Sequence, residues 1–224
     1  MIISKQSKKI GLIHTSATLV PVFRDLCAEL LPGVESFNIV DDSLIRDVIQ
    51  QGSMRPSIAK RLWNHIQCAE MGGADLILVT CSSVGEAVEA SQAFVSVPVV
   101  RVDRPMADLA VSDSGKIGVV ATLSTTLIPT VNLIQRRAKH HGSAVEVTSR
   151  ICEGAFEALM SGDSTRHDQL VREQIEELCS SVDKVVLAQA SMARLVSSAL
   201  SKKVCKPILS SPRVAIESLV PVLQ

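Results

Sequence analysis

Cys81 stands between an apolar run of strand length, Leu76-Ile-Leu-Val79, and the small polar turn Ser82-Ser83-Val84-Gly85. That set can do chemistry: a thiolate is a base and a nucleophile, and two adjacent hydroxyls are neutral hydrogen-bond donors. With the helix-forming residues 86–93 behind it, the stretch predicts a buried parallel strand, a tight turn and a helix. Ligands of open parallel sheets bind beyond the carboxyl ends of the strands, so Cys81, Ser82 and Ser83 are expected on the functional rim. Ser83 with Glu86 fits a capping box, and the positive end of the helix is expected to lower the thiol's pKa. Cys27, Cys68, Cys152, Cys179 and Cys205 lie inside apparent helices or beside strands and read as small packing hydrophobes.

Other rim candidates carry hydroxyls. Thr15, Ser16 and Thr18 follow a first short strand at 10–13; Thr122, Ser124, Thr125 and Thr126 follow a later one, and Ser191 follows a third. Neutral donors at helix N-termini suit a carboxylate. No Gly-rich nucleotide signature accompanies them. His14 closes the first strand and, with Ser191, is a candidate second acid or base. His65, His140, His141 and His167 look like helix or surface positions. Asp103 ends a strand and is expected either to orient a group at the rim or to cap the helix that starts at Pro105.

The elements that must position these residues recur. In the first half, strands at 10–13, 35–40, 76–79 and 97–102 alternate with helices at 20–31, 43–51, 56–71 and 105–111. The pattern then restarts. Lys116-Ile-Gly-Val-Val-Ala-Thr echoes Lys9-Ile-Gly-Leu-Ile-His-Thr, and residues 185–192 echo the Cys81 stretch. Strand 146–151 and helices at 155–160 and 168–179 complete the second half. Pro98 and Pro207 stand 109 positions apart, as do Arg104 and Arg213. The same spacing sets Ala190 opposite Cys81. An internal duplication of βαβ units follows: an α/β fold of two pseudo-symmetric lobes, each a parallel sheet with helices on both faces. The expected division is residues 1–104 plus 207–224 for the first lobe and 105–206 for the second, with the site in the cleft between them.

Composition removes several classes. Lys+Arg 23 balances Asp+Glu 23, and aromatic residues make up only 2% of the 224 residues, so neither a basic footprint nor stacking platforms for nucleic acid are present. No apolar run approaches the roughly 18 residues of a membrane span, and the first nine residues lack a leader's apolar core. Six cysteines without a C-x-x-C pair predict reduced thiols, a cytoplasmic protein and no metal site.

The duplicated lobes, the Val120-Ala-Thr-x-x-Thr125 loop and the strand ending Val79-Thr-Cys-Ser-Ser83 resemble the aspartate/glutamate/hydantoin racemase superfamily. The resemblance covers nearly the whole chain. It implies a cofactor-independent racemase or isomerase acting at the carbon next to a carboxylate, with Cys81 matching the first of two catalytic cysteines. It further implies Ser82, Ser83, Thr122 and Thr125 as substrate-binding residues, to which the rim hydroxyls of Ser16 and Ser124 are added from their positions, with a small carboxylate substrate and a homodimer. The scarcity of aromatic residues points to an aliphatic ligand. The chain departs from the pattern at the second cysteine, where Leu187-Ala-Gln-Ala-Ser-Met192 carries no thiol. A one-cysteine decarboxylase and a non-catalytic carboxylate-binding relative are the alternatives.

Overall fold

The computed structural model describes residues 7–196, 200 and 203–224; the opening residues 1–6, read above for a leader, lie outside that part. Strands β1 (Lys9–His14), β2 (Glu35–Val40), β3 (Leu76–Val79) and β4 (Val99–Arg101) form one parallel sheet in the order β2-β1-β3-β4. Strands β5 (Gly115–Ala121), β6 (Val145–Ile151), β7 (Lys184–Leu187) and β8 (Ile208–Ser210) form a second, in the order β6-β5-β7-β8. The fold is α/β with two lobes, and identical strand orders make the duplication a structural fact.

Parallel strands covered on both faces read as continuous apolar runs, and β3 is buried at every residue. Alternation then decides which helix each residue meets. Ile10, Leu12, Leu76 and Leu78 face α1 (Leu19–Leu30) and α9 (Ser211–Leu223), whereas Ile13, Ile77 and Val79 face α2 (Asp42–Gln51), α3 (Pro56–Met71) and α4 (Gly85–Ser91). In the second sheet Val120, Val185 and Leu187 meet α8 (Ser164–Cys179), which follows the short α7 (Ala155–Met160). Ile117, Val119 and Val186 meet α5 (Arg104–Ala110) and α6 (Ser124–His141). The Ile-Gly repeated in β1 and β5 has a steric reason. A Cβ on Gly11 would come within 3.2 Å of Ala69, and one on Gly118 within 3.0 Å of Leu178, so each glycine lets a helix lie close on its sheet.

The lobes exchange helices. The chain leaves the first sheet after β4, and Met106, Ala107 and Ala110 of α5 join the core of the second sheet. It leaves the second sheet after β8, and Ala215, Ile216, Leu219 and Leu223 of α9 join the core of the first. The crossing therefore differs from the expected break at 207: Ile208–Ser210 is hydrogen bonded to β7, and only the helix beyond it packs on the first sheet.

His14 ties three strands of the first sheet together. Its ring is 0% exposed, with Nδ1 2.8 Å from the Thr80 hydroxyl and Nε2 2.8 Å from the Asn38 side-chain oxygen. In a neutral ring Nε2–H donates to the Asn38 oxygen and Nδ1 accepts the Thr80 hydroxyl proton, for which the Ile13 carbonyl at 3.2 Å competes. Burial lowers the His14 pKa, partly offset by the Asn38 contact, and the neutral ring is the stable form.

Two outcomes follow from these contacts. Ile216→Ala should lower the urea midpoint by about 2–5 kcal/mol of stability, in one cooperative transition, because α9 completes a core made by residues nearly 200 positions earlier. Acidification should also weaken the fold before any carboxylate titrates. The unfolded imidazole takes a proton near pH 6.5, the folded one only at lower pH, so the His14 contribution is complete above about 6.5 and is lost as pH falls through the folded value. His14→Gln should flatten the decline in urea midpoint between pH 7.5 and 5.5 relative to the unaltered chain; an equal decline in both would refute the assignment.

Candidate active site

Pairing of β1 with β3 runs through Thr80, whose N–H still donates to the Ile13 carbonyl at 2.9 Å. The next residue, Cys81, is extended and half-buried, and the chain then tightens into the single 3-10 turn Ser82–Val84 ahead of α4. The thiol sits among donors: the Thr15 hydroxyl, the Ser83 and Val84 amides and the Ser83 hydroxyl. Burial nevertheless outweighs them and pushes the Cys81 thiol above its ordinary pKa. The expected depression is thus corrected. The reason is local: α4 is only seven residues long, and Ser83 does not cap it. Its hydroxyl is instead 2.8 Å from that of Thr126.

The second rim repeats the arrangement with a different residue. Ile10 pairs with Leu76 in the first sheet, while its counterpart Ile117 pairs with Lys184 in the second. The amides of Thr80 and Ala188 make the equivalent bonds to Ile13 and Val120. Counting one residue on, the position opposite Cys81 is Gln189. The expected Ala190 is one residue too far, because the 109-residue spacing that holds for β4 and β8 shortens by one at β3 and β7. The side chains agree with this register. Thr15 faces Cys81, and its counterpart Thr122 is bound to Gln189, with Gln189 Nε2 donating to Thr122 Oγ1 at 2.7 Å and the amide oxygen accepting from the Thr122 N–H. Ala190 packs against the core formed by α1 and α9.

The two rims touch. Besides the Ser83 and Thr126 hydroxyl pair, Arg136 of α6 donates to Glu89 of α4 at 2.8 Å and lies 3.8 Å from Glu86. Ser82, Ser83, Thr122 and Thr125 are all buried just beyond the strand ends, and the Thr125 hydroxyl, in the first turn of α6, has no hydrogen-bond partner among the described residues. Ser124 is exposed, and Ser16 is half-buried with its hydroxyl 2.8 Å from that of Thr18. Ser191 is half-buried, and its carbonyl accepts from Arg194. His14 lies beneath the rim in the network already described. Asp103 holds the N-cap position of α5 without a side-chain cap bond; its carboxylate is fully buried and accepts from Arg101 instead. Sequence reasoning missed the pairings of Thr15 with Cys81 and of Thr122 with Gln189. The echo of Lys9–Thr15 in Lys116–Thr122 was the signal that could have linked the two threonines.

An open groove of about 570 Å³ beside α8, lined by Asp168, Arg172 and Glu176 among others, contains none of these residues, so chemistry rather than concavity marks the site. Among the described residues no cluster of His, Cys, Asp and Glu is placed to hold a metal ion, and no helix is long and apolar enough to cross a membrane.

The fold and rim can be set beside known proteins. An allantoin racemase from Klebsiella pneumoniae is 18% identical and superposes with a TM-score of 0.72, over 96% of this chain and 89% of that one. A glutamate racemase from Bacillus anthracis is 21% identical with a TM-score of 0.70, over 98% of this chain and 82% of that one. An aspartate racemase from Picrophilus torridus is 14% identical with a TM-score of 0.72, over 97% and 94%. At such identities these likenesses establish the fold. No curated protein matches the chain by sequence. The family model described as Asp/Glu/hydantoin racemase matches residues 4–219, and the chain belongs to that family.

Proposed function

We propose that this protein is a cofactor-independent, racemase-like enzyme that moves a proton at the carbon next to the carboxylate of a small amino acid or related acid, with Cys81 as the acid/base. The observation that carries the reading is the half-buried thiol at the end of β3, surrounded by the Thr15 hydroxyl and the Ser83 and Val84 amides. A substrate carboxylate is bound by neutral donors of the rims, Ser82, Ser83, Thr122 and Thr125, with Ser16 and Ser124 at the more open edge. The unpartnered Thr125 hydroxyl in the first turn of the long helix α6 supports that placement. As negative charge spreads from the α-carbon onto the carboxylate, these preorganised donors stabilise it.

Raised by burial, the Cys81 pKa keeps the sulfur protonated in the resting site, so its first competence is as a proton donor. Delivery of that proton to a carbanion forms the carbon–hydrogen bond and leaves a thiolate, which the Thr15, Ser83 and Val84 donors then hold. Gln189 on the opposite rim neither gives nor takes a proton near neutral pH. Of the other candidates, Ser191 is a weak acid and His14 is sequestered, so neither replaces a second thiol. This observation favours a second reading: a decarboxylase, in which loss of carbon dioxide generates the enediolate, a single protonation by Cys81 forms the product, and a proton from water then restores the thiol. Buried Cys27, Cys152 and Cys179, held as thiols within the cores, fit the reducing cytoplasm.

Proton NMR in deuterated water, over a panel of amino acids, hydantoins and substituted malonates, separates these readings. The unaltered protein should incorporate deuterium at the α-carbon, with carbon dioxide release if the second reading holds. Cys81→Ser should reduce the rate by at least about a hundredfold with an unchanged melting temperature; undiminished turnover would remove Cys81 from the mechanism. Gln189→Cys should add exchange on the opposite face. Silence across the panel, with ligands still raising the melting temperature, would mark a carboxylate-binding protein without catalysis.

A further inference from the structure

Arg101, at the end of β4, is 1% exposed and heads the largest fully buried side chains of the described residues. Its Nε and Nη2 donate to the two carboxylate oxygens of Asp103 at 2.7 and 2.9 Å, and Asp103 is itself fully buried. Nη1 lies 3.2 Å from Glu89 of α4 without hydrogen-bond geometry. Glu89 in turn accepts from Arg136 of α6, so one chain of charges runs from β4 through α4 to the other lobe. The guanidinium also presses on the backbone where α4 begins. A Cβ at Gly85 would stand 2.2 Å from the Arg101 Cζ, so only glycine fits there while the arginine keeps its place.

Burying a guanidinium and a carboxylate is costly, and such a pair does not explain itself by stability. Comparison with the second lobe shows what it accompanies. Leu187 pairs with Ser210 as Val79 pairs with Arg101, so serine stands in the arginine's place. By the same registers Ala193 replaces Gly85 and Pro212 replaces Asp103. All three parts are missing beside Gln189 and present beside Cys81.

We propose that Arg101 is a positioning residue for Cys81: locked by Asp103 and Glu89 and seated on Gly85, it fixes the Ser82–Val84 turn whose amides face the thiol. The inference rests on the reading of Cys81 as the reactive group, but it concerns the free protein. It also explains why the turn is closed by glycine, a poor helix former, at the first position of α4.

The test therefore reads the thiol without substrate. The pH dependence of Cys81 alkylation by iodoacetamide is followed by peptide mass spectrometry, which separates it from the exposed Cys68 and Cys205. Arg101→Met should let water reach the turn, raise the Cys81 rate at pH 7 by at least about threefold and move the profile to lower pH. Arg101→Lys should not restore it, because an ammonium lacks the fork that grips Asp103. Gly85→Ala should reproduce the change, and should add nothing further in the Arg101→Met background. Glu89→Gln, at a partly exposed position that tolerates substitution, should move the profile the same way by less.

Arg137→Met, which breaks an ion pair with Asp108 in the second lobe, should lower the melting temperature and leave Cys81 unaffected. An Arg101→Met protein that melts earlier with an unmoved profile would reduce Arg101 to a structural part and overturn the proposal. So would an equal response to Arg137→Met. If the profile moves but no substrate turns over, the catalytic reading fails and the positioning role stands.

Discussion

Everything at the rim depends on the register of β3 on β1, and of β7 on β5. In a parallel sheet a slip of one residue turns each side chain to the opposite face. The Thr80 amide bonded to Ile13 and the Ala188 amide bonded to Val120 fix the last paired residue of each strand. The following residue stands just beyond the ladder at the rim: a thiol in one lobe and an amide in the other. Helix choice, turn geometry and the contact between lobes all follow from where those strands stop.

The fold was legible because its signals are strong ones: apolar runs of strand length, helical periodicity, and two halves that spell their strands alike. The identity of Cys81's surroundings was legible in part. Ser83 read as a cap because Glu86 follows at the right distance, yet a hydroxyl from α6, 43 residues away, competes for it, and no local pattern shows such a partner. Gln189 was hidden by a spacing of 109 that is true of Pro98 and Pro207 and false by one residue at β7. The connection from β7 to β8 is one residue longer than the connection from β3 to β4, which shifts the frame between them, and only the strand pairing reveals it. Arg101 was not singled out at all, since a charged residue beside a strand ordinarily lies at the surface.

Two opposing effects act on the thiol, and the balance differs from the simplest reading of a helix N-terminus. Amide and hydroxyl donors stabilise a thiolate, but they come with a packed, largely dry setting that penalises any charge. A short helix supplies little field to compensate. A thiol in this setting holds its proton more tightly than a free one. The same dryness makes the buried Arg101 and Asp103 pair strongly directional, since its charges find few alternative partners.

The reciprocal exchange of α5 and α9 bears on ancestry. A half that sends its last helix onto its neighbour cannot complete its own core alone; two copies, each covering the other, would complete both. A symmetric pair of that sort must show the same residue on both rims, two thiols or two amides. Joining the copies into one polypeptide frees the halves to diverge. Within one polypeptide the halves now keep cysteine on one side, glutamine on the other, and a buried arginine beside the cysteine alone.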